Sequence, residues 1–232
     1  MNSYVLAHGV RGTRGALERW NADPWPVLRA WIAVAVAVAL VLLLAVWAVA
    51  TAITPDLTPI AIPGITRPAD AGDVLHILYR NSLVLALHAF ACVAGFIAGS
   101  SLPLSAAQRT GFSRLMHEKA RPIAFAWVIA VTCFSLATQA YALGFSAATL
   151  ANQLDISTGL LLVTALPHAL PELTALFLPL AAWTLASRRG QWDDLLAATV
   201  ATVAIAVPTL VCAAVWETYG WPILLRAVSP LA

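Results

Sequence analysis

Long apolar runs, each bounded by short polar stretches, set the pattern of this sequence. A helix needs about 20 predominantly apolar residues to cross a bilayer, and five runs reach that length. They cover residues 30–53, 82–104, 122–144, 158–185 and 195–216. The pattern therefore predicts an all-α fold, a polytopic transmembrane helix bundle of five spans that forms a single transmembrane domain over residues 1–232.

Composition supports a membrane protein and excludes several other classes. Hydrophobic residues make up 61% of the chain and charged residues only 10%, whereas soluble domains carry about 25% charged residues. The mean hydropathy is +0.83. The net charge of +2 is too small to indicate nucleic acid binding, so the lipid bilayer is the first expected partner. All three cysteines fall in apolar runs, where cysteine behaves as a small hydrophobe.

Lysine and arginine predict the orientation of the spans, because these residues accumulate on the cytoplasmic side. Ten of them precede span 1 or lie between spans 2 and 3 and between spans 4 and 5. Only Arg67, Arg80 and Arg226 lie on the other side. We therefore expect an inside N-terminus and an outside C-terminus. The Ala-, Arg- and Trp-rich usage is typical of a GC-rich bacterium, which predicts a multi-pass protein of the bacterial cytoplasmic (inner) membrane. The first run exceeds the ~7–15 residues of a signal-peptide core, so we interpret it as an uncleaved anchor.

Two polar segments connect these spans. Residues 54–79 contain Pro55, Pro59, Pro63 and Pro68, which forbid a regular helix and predict an extended outer loop. Its last part, residues 71–78, is a candidate for a short interfacial helix. On the inner side, residues 105–121 fit either an amphipathic surface helix or a solvated loop.

Span 4 carries the chain's main chemical candidate. His168 and Glu172 are four residues apart, so they share one face of a helix. Pro167 and Pro171 each remove a backbone N–H, and we expect them to break the span. Ionisable groups at hydrocarbon depth usually mark a functional interior or a polar lock. We keep both alternatives: an interhelical hydrogen-bonded lock, or a pocket in which His168 and Glu172 are the catalytic pair.

Other polar residues in the spans are candidates for the same pocket, each with a plain structural alternative. These residues are His88, Asn81, Gln139 and Glu217. His88 also fits a packing role, Asn81 an N-cap of span 2, and Glu217 a hydrated interfacial position. Gly95 and Gly99 form a Gly-x-x-x-Gly face for close helix packing, either within the chain or in a homo-oligomer.

No complete catalytic motif accompanies these residues. His88, His168 and Glu172 would supply two nitrogens and one oxygen to zinc, but His-x-x-x-Glu is too common a pattern to predict a metal site. The sequence lacks a Gly-x-Ser-x-Gly, a P-loop and a Gly-x-Gly-x-x-Gly motif. We therefore expect neither a metal nor a cofactor.

Three stretches between residues 80 and 222 share their order with a known family. The stretches are Arg80-Asn81-Ser82 before the glycine-containing span, Leu166-Pro167-His168 through Glu172-Leu173, and Glu217 followed by Pro222. The chain thus resembles the stage II sporulation protein M family of bacterial membrane proteins, with its Pro-His-Gly-x-x-Glu-Leu-Pro region. Ala169 stands where that family has glycine.

This resemblance implies a membrane scaffold or partner subunit, anchoring or assisting a partner enzyme such as a cell-wall hydrolase, and not an enzyme on its own. The alternative from the residues is an intramembrane enzyme or transporter subunit. It would use His168 and Glu172 for proton transfer on a peptide or lipid substrate.

Overall fold

A computed structural model describes the backbone of residues 3–101 and 111–231, and the side chains of residues 11–100, 122–123 and 125–231. Within these described ranges, five helices are long and apolar enough to cross a membrane. They are Trp25–Ala52, Ala71–Ser100, Phe125–Gln153, Thr158–Arg189 and Trp192–Val228. The described residues contain no β-strand, only an isolated bridge between Pro63 and Arg67. The predicted all-α architecture with five spans is thereby confirmed.

The individual helices follow each other with short connections. The helices are α1 (Ser3–Ala22), α2 (Trp25–Ala52), α3 (Ala71–Phe96), α4 (Gly111–Gln153), α5 (Thr158–Arg189), α6 (Leu195–Val215) and α7 (Trp221–Val228). A π-helical segment, Ile97–Ser101, extends α3, and a second one, Trp216–Gly220, joins α6 to α7. The last span therefore continues well beyond its predicted end at residue 216, because Pro222 lies in the first turn of α7 and does not stop the chain.

Helix α3 begins earlier than the apolar run predicts. The Asp70 carboxylate accepts hydrogen bonds from the N–H groups of Gly72 and Asp73, and the Asp73 carboxylate accepts one from the N–H of Asp70. This reciprocal cap satisfies N–H groups that a helix start leaves free. The predicted outer loop 54–79 thus ends at residue 70. The prediction that Asn81 caps the helix is wrong, because Asn81 lies ten residues inside it.

Helices α4 and α5 both continue through proline. Helix α4 contains Pro122 and includes residues 111–121. For these residues the sequence left a surface helix and a solvated loop as alternatives. Residues 105–110 of that segment lie outside the described residues. Helix α5 is continuous from Thr158 to Arg189, so the predicted break of span 4 is wrong at the level of secondary structure. A proline removes only one N–H, and the hydrogen bonds on either side of it keep the helix intact.

The chain divides into two compact units of similar size. Unit 1 contains the described parts of residues 1–35, 85–133 and 176–206, and unit 2 those of 36–84, 134–175 and 207–232. The single-domain assignment stays a prediction.

Unit 1 is organised by tryptophan packed against glycine. Its core contains Cys92, Phe96, Ala186 and Leu195. A Cβ atom on Gly95 would lie 2.7 Å from Trp183, and one on Gly99 would overlap the ring of Trp192. The Gly-x-x-x-Gly face of α3 and its π-helical extension therefore packs against indole rings of the same chain.

Unit 2 contains the loop of residues 53–70 and the chain segments that hold it. Gln153 at the end of α4 accepts from the N–H of Ile60 and donates to its carbonyl, both at 2.8 Å. Arg226 of α7 donates to the carbonyl of Gly64. Gly64 has a φ of 77°, and its backbone lies against Pro222. The loop is thus attached to α4 and to α7.

Candidate functional site

Unit 2 contains a group of polar side chains that we call the polar cluster. Its members are Arg80, Asn81, His168, Glu172 and Glu217. Helix α3 supplies the first two, α5 supplies the histidine and one carboxylate, and the π-helical segment after α6 supplies the second carboxylate. Each of these elements is otherwise rich in apolar residues, so the charged members of the cluster interrupt apolar runs.

His168 is held by an aromatic neighbour. Its side chain is 5% exposed, and its ring centroid lies 5.2 Å from that of Trp221 at an interplanar angle of 57°. The indole N–H of Trp221 donates to the hydroxyl of Thr164 at 3.1 Å, and this hydroxyl donates to the carbonyl of Leu161. Helix α5 therefore holds the Trp221 indole through Thr164, and the indole packs against the imidazole of His168. Nδ1 of His168 has no hydrogen-bond partner among the described residues.

Glu172 lies one helical turn after His168, so the two side chains share a face of α5. Its side chain is half-buried, and the Asn81 amide and the Arg80 guanidinium act on its carboxyl group. Asn81 is a side-chain hydrogen-bond partner of this carboxyl group, although Oε2 of Glu172 and Nδ2 of Asn81 are buried without a hydrogen bond of regular geometry in the described part of the chain. The carboxylate thus has polar neighbours but incomplete hydrogen bonding.

Glu217 brings a second carboxylate to the cluster. It is half-buried, and the electrostatic influence of both Glu172 and Arg80 reaches it. Glu217 lies in a π-helical turn, a feature that is often found at functional sites because it changes the direction of the side chains. The sequence already made Glu217 a candidate for the same pocket as His168 and Glu172, with a hydrated interfacial position as its alternative. The available signal was that both carboxylates interrupt apolar runs.

Two of the predicted pocket residues have contacts elsewhere. His88 belongs to unit 1 and is completely buried; its Nδ1 lies 3.1 Å from the carbonyl oxygen of Leu176, and its ring packs on Phe177. These contacts fit the packing alternative. Gln139 is half-buried and donates to the carbonyl and the hydroxyl oxygen of Ser135, one turn earlier on α4. Its amide hydrogen bonds are therefore made within its own helix.

The donor set of the polar cluster limits its chemistry. Across the described residues, no group of three or more His, Cys, Asp and Glu side chains is arranged to hold a metal ion. The cluster offers two carboxylates and an imidazole to a ligand, together with an amide donor. This arrangement can bind a group that carries N–H donors and positive charge, or exchange protons with it.

This chain has no match among protein-family models, curated proteins or solved structures. The chain is a multi-pass membrane protein by its five apolar helices.

Proposed function

We propose that this chain is a membrane scaffold or partner subunit of the bacterial cytoplasmic membrane, which anchors or assists another protein through the polar cluster. The observation that supports the proposal is the set of buried polar atoms without partners on Asn81, His168 and Glu172. An unsatisfied polar group costs about 1–3 kcal/mol when buried, more if charged. Such groups are expected where a second molecule completes the hydrogen bonds.

The sequence resemblance to the stage II sporulation protein M family supports the same proposal. The family's central region corresponds to Pro167-His168 and Glu172, and His168 and Glu172 belong to the polar cluster. In that family the transferable role is a membrane partner of cell-wall hydrolases. The lack of a complete catalytic motif in the sequence agrees with a partner role.

Site-specific photo-crosslinking in native membranes tests the proposal. A photoreactive residue at Tyr219, which is 47% exposed and lies two residues after Glu217, should give a discrete adduct with another protein. The matched control is Phe134 of α4, which is 70% exposed and should give lipid adducts only. Lipid adducts alone at both positions, together with a protein that migrates alone in native gels, would contradict a partner role.

The second candidate is an intramembrane enzyme or transporter subunit that transfers protons through His168 and Glu172. The buried imidazole one turn from a carboxylate favours it, because such a pair can act as base and acid. Proteoliposomes with an enclosed pH dye test proton movement, and mass spectrometry of lipids and peptides incubated with the protein tests chemistry. Either activity should disappear in His168→Gln while the protein still accumulates. The absence of both activities from the unsubstituted protein would reject this candidate.

A further inference from the structure

We infer that a groove in unit 2, between the end of α2 and the connection from α4 to α5, binds one zwitterionic phospholipid with an ethanolamine headgroup. None of the polar-cluster residues lines this groove, so the inference does not depend on the partner role. The polar end of the groove holds the phosphate and the ammonium of the headgroup. Its apolar end holds the glycerol and the upper part of an acyl chain.

Small residues leave room for the groove. Ala50 of α2 and Ala148 and Ala151 of α4 belong to its lining, and each is at most 5% exposed. Gly159 of α5 lies opposite Trp47, because the nearest atom to a Cβ on this glycine would be the indole Nε1, 4.0 Å away. The groove is thus open between a tryptophan and a helix turn without a side chain. Its volume of about 670 Å³ lies in the range of ~300–1,000 Å³ that is usual for ligand sites.

The lining changes from apolar to polar along the helix axes. Trp47 lies five residues before the end of α2, and Ala148 five residues before the end of α4, so both lie ~7.5 Å from those ends. Asn152, Ser157 and Thr158 lie at the end of α4 and the start of α5. These three helices are long and apolar enough to span a membrane, so their ends correspond to the bilayer surface, where tryptophan is enriched. A molecule with a polar head and an apolar body matches this order.

Several hydrogen-bond donors that line the groove have no partner inside the protein. Within the described part of the chain, the Asn152 amide, the Thr158 hydroxyl and the indole N–H of Trp47 donate no hydrogen bond. The Ser157 hydroxyl accepts from the N–H of Leu160 at 3.2 Å, so the earlier N–H groups in the first turn of α5 stay available. Phosphate oxygens accept hydrogen bonds from such donors. The polar end of the groove therefore fits the phosphate of a lipid.

The charges next to the groove select the headgroup. None of the residues that line the groove is charged. The charged residues adjacent to the lining in sequence are both acidic, since Asp56 follows Pro55 and Asp155 precedes Ile156. Asp155 is exposed and forms no ion pair with a described residue. These carboxylates repel a lipid of net negative charge and attract an ammonium group beside the phosphate. An ethanolamine headgroup therefore fits better than a glycerol headgroup.

Native mass spectrometry of the full-length protein in detergent tests the inference. The protein is mixed with phosphatidylethanolamine, phosphatidylglycerol or diacylglycerol of identical acyl chains, and the bound fraction of each lipid is measured. We expect one phosphatidylethanolamine to bind about fivefold more tightly than phosphatidylglycerol, because an exposed ion pair contributes a factor of this order. Diacylglycerol should bind about tenfold more weakly than phosphatidylethanolamine, because it lacks the phosphate and its charge-assisted hydrogen bonds.

Two pairs of variants locate the site. Gly159→Leu adds a side chain beside Trp47 and should abolish the bound phosphatidylethanolamine. Its control is Ala52→Leu, an exposed position at the end of α2 outside the lining, which should keep the lipid. Asp155→Asn should remove the preference over phosphatidylglycerol, and asparagine readily adopts the φ of 52° at this position. Its control is Asp23→Asn before the other end of α2, which should keep the preference. Thermal unfolding checks that each variant is folded.

Three outcomes would overturn the inference. The first is equal binding of the three lipids, and the second is tighter binding of phosphatidylglycerol, which would assign the groove to an anionic lipid. The third is undiminished binding of phosphatidylethanolamine to folded Gly159→Leu, or an unchanged preference in Asp155→Asn. Should Gly159→Leu fail to fold, Asn152→Asp takes its place, because it keeps the size of the side chain and sets a carboxylate against the phosphate. Undiminished binding to that variant would overturn the inference equally.

Discussion

The buried polar groups of the two units differ in charge. Unit 1 buries neutral groups, and two of them contact backbone oxygens of α5: Nδ1 of His88 lies 3.1 Å from Leu176 O, and the thiol of Cys92 lies 3.1 Å from Pro179 O. Unit 2 partly buries the carboxylates of Glu172 and Glu217, and Oε2 of Glu172 has no hydrogen-bond partner in the described part of the chain. Unit 1 also buries atoms that lack a partner in the described part of the chain, among them Nε2 of His88, so the two units differ in the charge of these groups and not in their presence. The carboxylates of unit 2 are therefore what distinguishes the proposed partner site.

The largest expected loss of stability comes from a substitution that disrupts the packing of unit 1. Gly99→Leu would force a side chain into the Trp192 ring, which already occupies the place of a Cβ atom at this position. Overpacking a tight contact costs about 1–3 kcal/mol and occasionally more, so we expect a large loss of folded protein in detergent, measured by thermal unfolding. The control is Gly159→Ala in unit 2, where the nearest atom lies 4.0 Å away. Equal stability of the two variants would show that the glycine–tryptophan contact is not needed.

Replacing a buried polar residue by leucine is expected to change the free energy of unfolding in opposite directions in the two units. His88→Leu removes the contact with Leu176 O and should destabilise unit 1 by about 1–2 kcal/mol. Glu172→Leu removes an incompletely paired carboxylate and should leave stability unchanged or raise it. Thermal unfolding of the purified variants measures both changes. A destabilised Glu172→Leu variant would favour the polar lock in unit 2 as well, and would count against the proposed partner site.

A smaller effect is expected at the loop of residues 53–70. Gln153→Ala removes the two hydrogen bonds to Ile60, each worth about 1 kcal/mol in a typical case and less where it is exposed. The loop should then be cleaved faster in limited proteolysis. The control is Thr58→Ala, which keeps both hydrogen bonds of Gln153. Unchanged cleavage of the Gln153→Ala variant would show that the contact with Arg226 is enough to hold the loop.

The smallest expected effect is the pH dependence of the turn at Asp56. The N–H of Thr58 donates to the Asp56 carboxylate at 2.9 Å and lowers the pKa of that carboxyl group. Because the folded pKa is depressed, the turn is stabilised above the unfolded pKa of ~3.9 and loses this contribution as the pH falls below it. The protection factor of the Thr58 amide, its intrinsic exchange rate divided by the measured one, should therefore fall as the pH is lowered to ~3, and Asp56→Asn should remove this dependence.

Sequence patterns were sufficient for the fold because length and hydropathy decide which helices can cross a bilayer. They failed at helix ends that depend on local hydrogen bonds. The cap formed by Asp70 and Asp73 lies outside the apolar run, so α3 was predicted to start too late. They also overestimated the effect of Pro167 and Pro171, since α5 remains helical.

The candidate site was predictable only in part. The spacing of His168 and Glu172 is local, so the sequence predicts a shared helix face. The proximity of Glu172 and Glu217 joins residues far apart in the chain, and no periodicity predicts it. The same holds for the ring contact of His168 with Trp221.

Arg226 and Trp221 belong to the same short helix, α7, and this has a mechanical consequence. One end of α7 is tied to the loop through the carbonyl of Gly64, and the other end rests its indole on the imidazole of His168. The loop and the imidazole of His168 therefore both contact one helix of eight residues, so the position of α7 is set from its two ends.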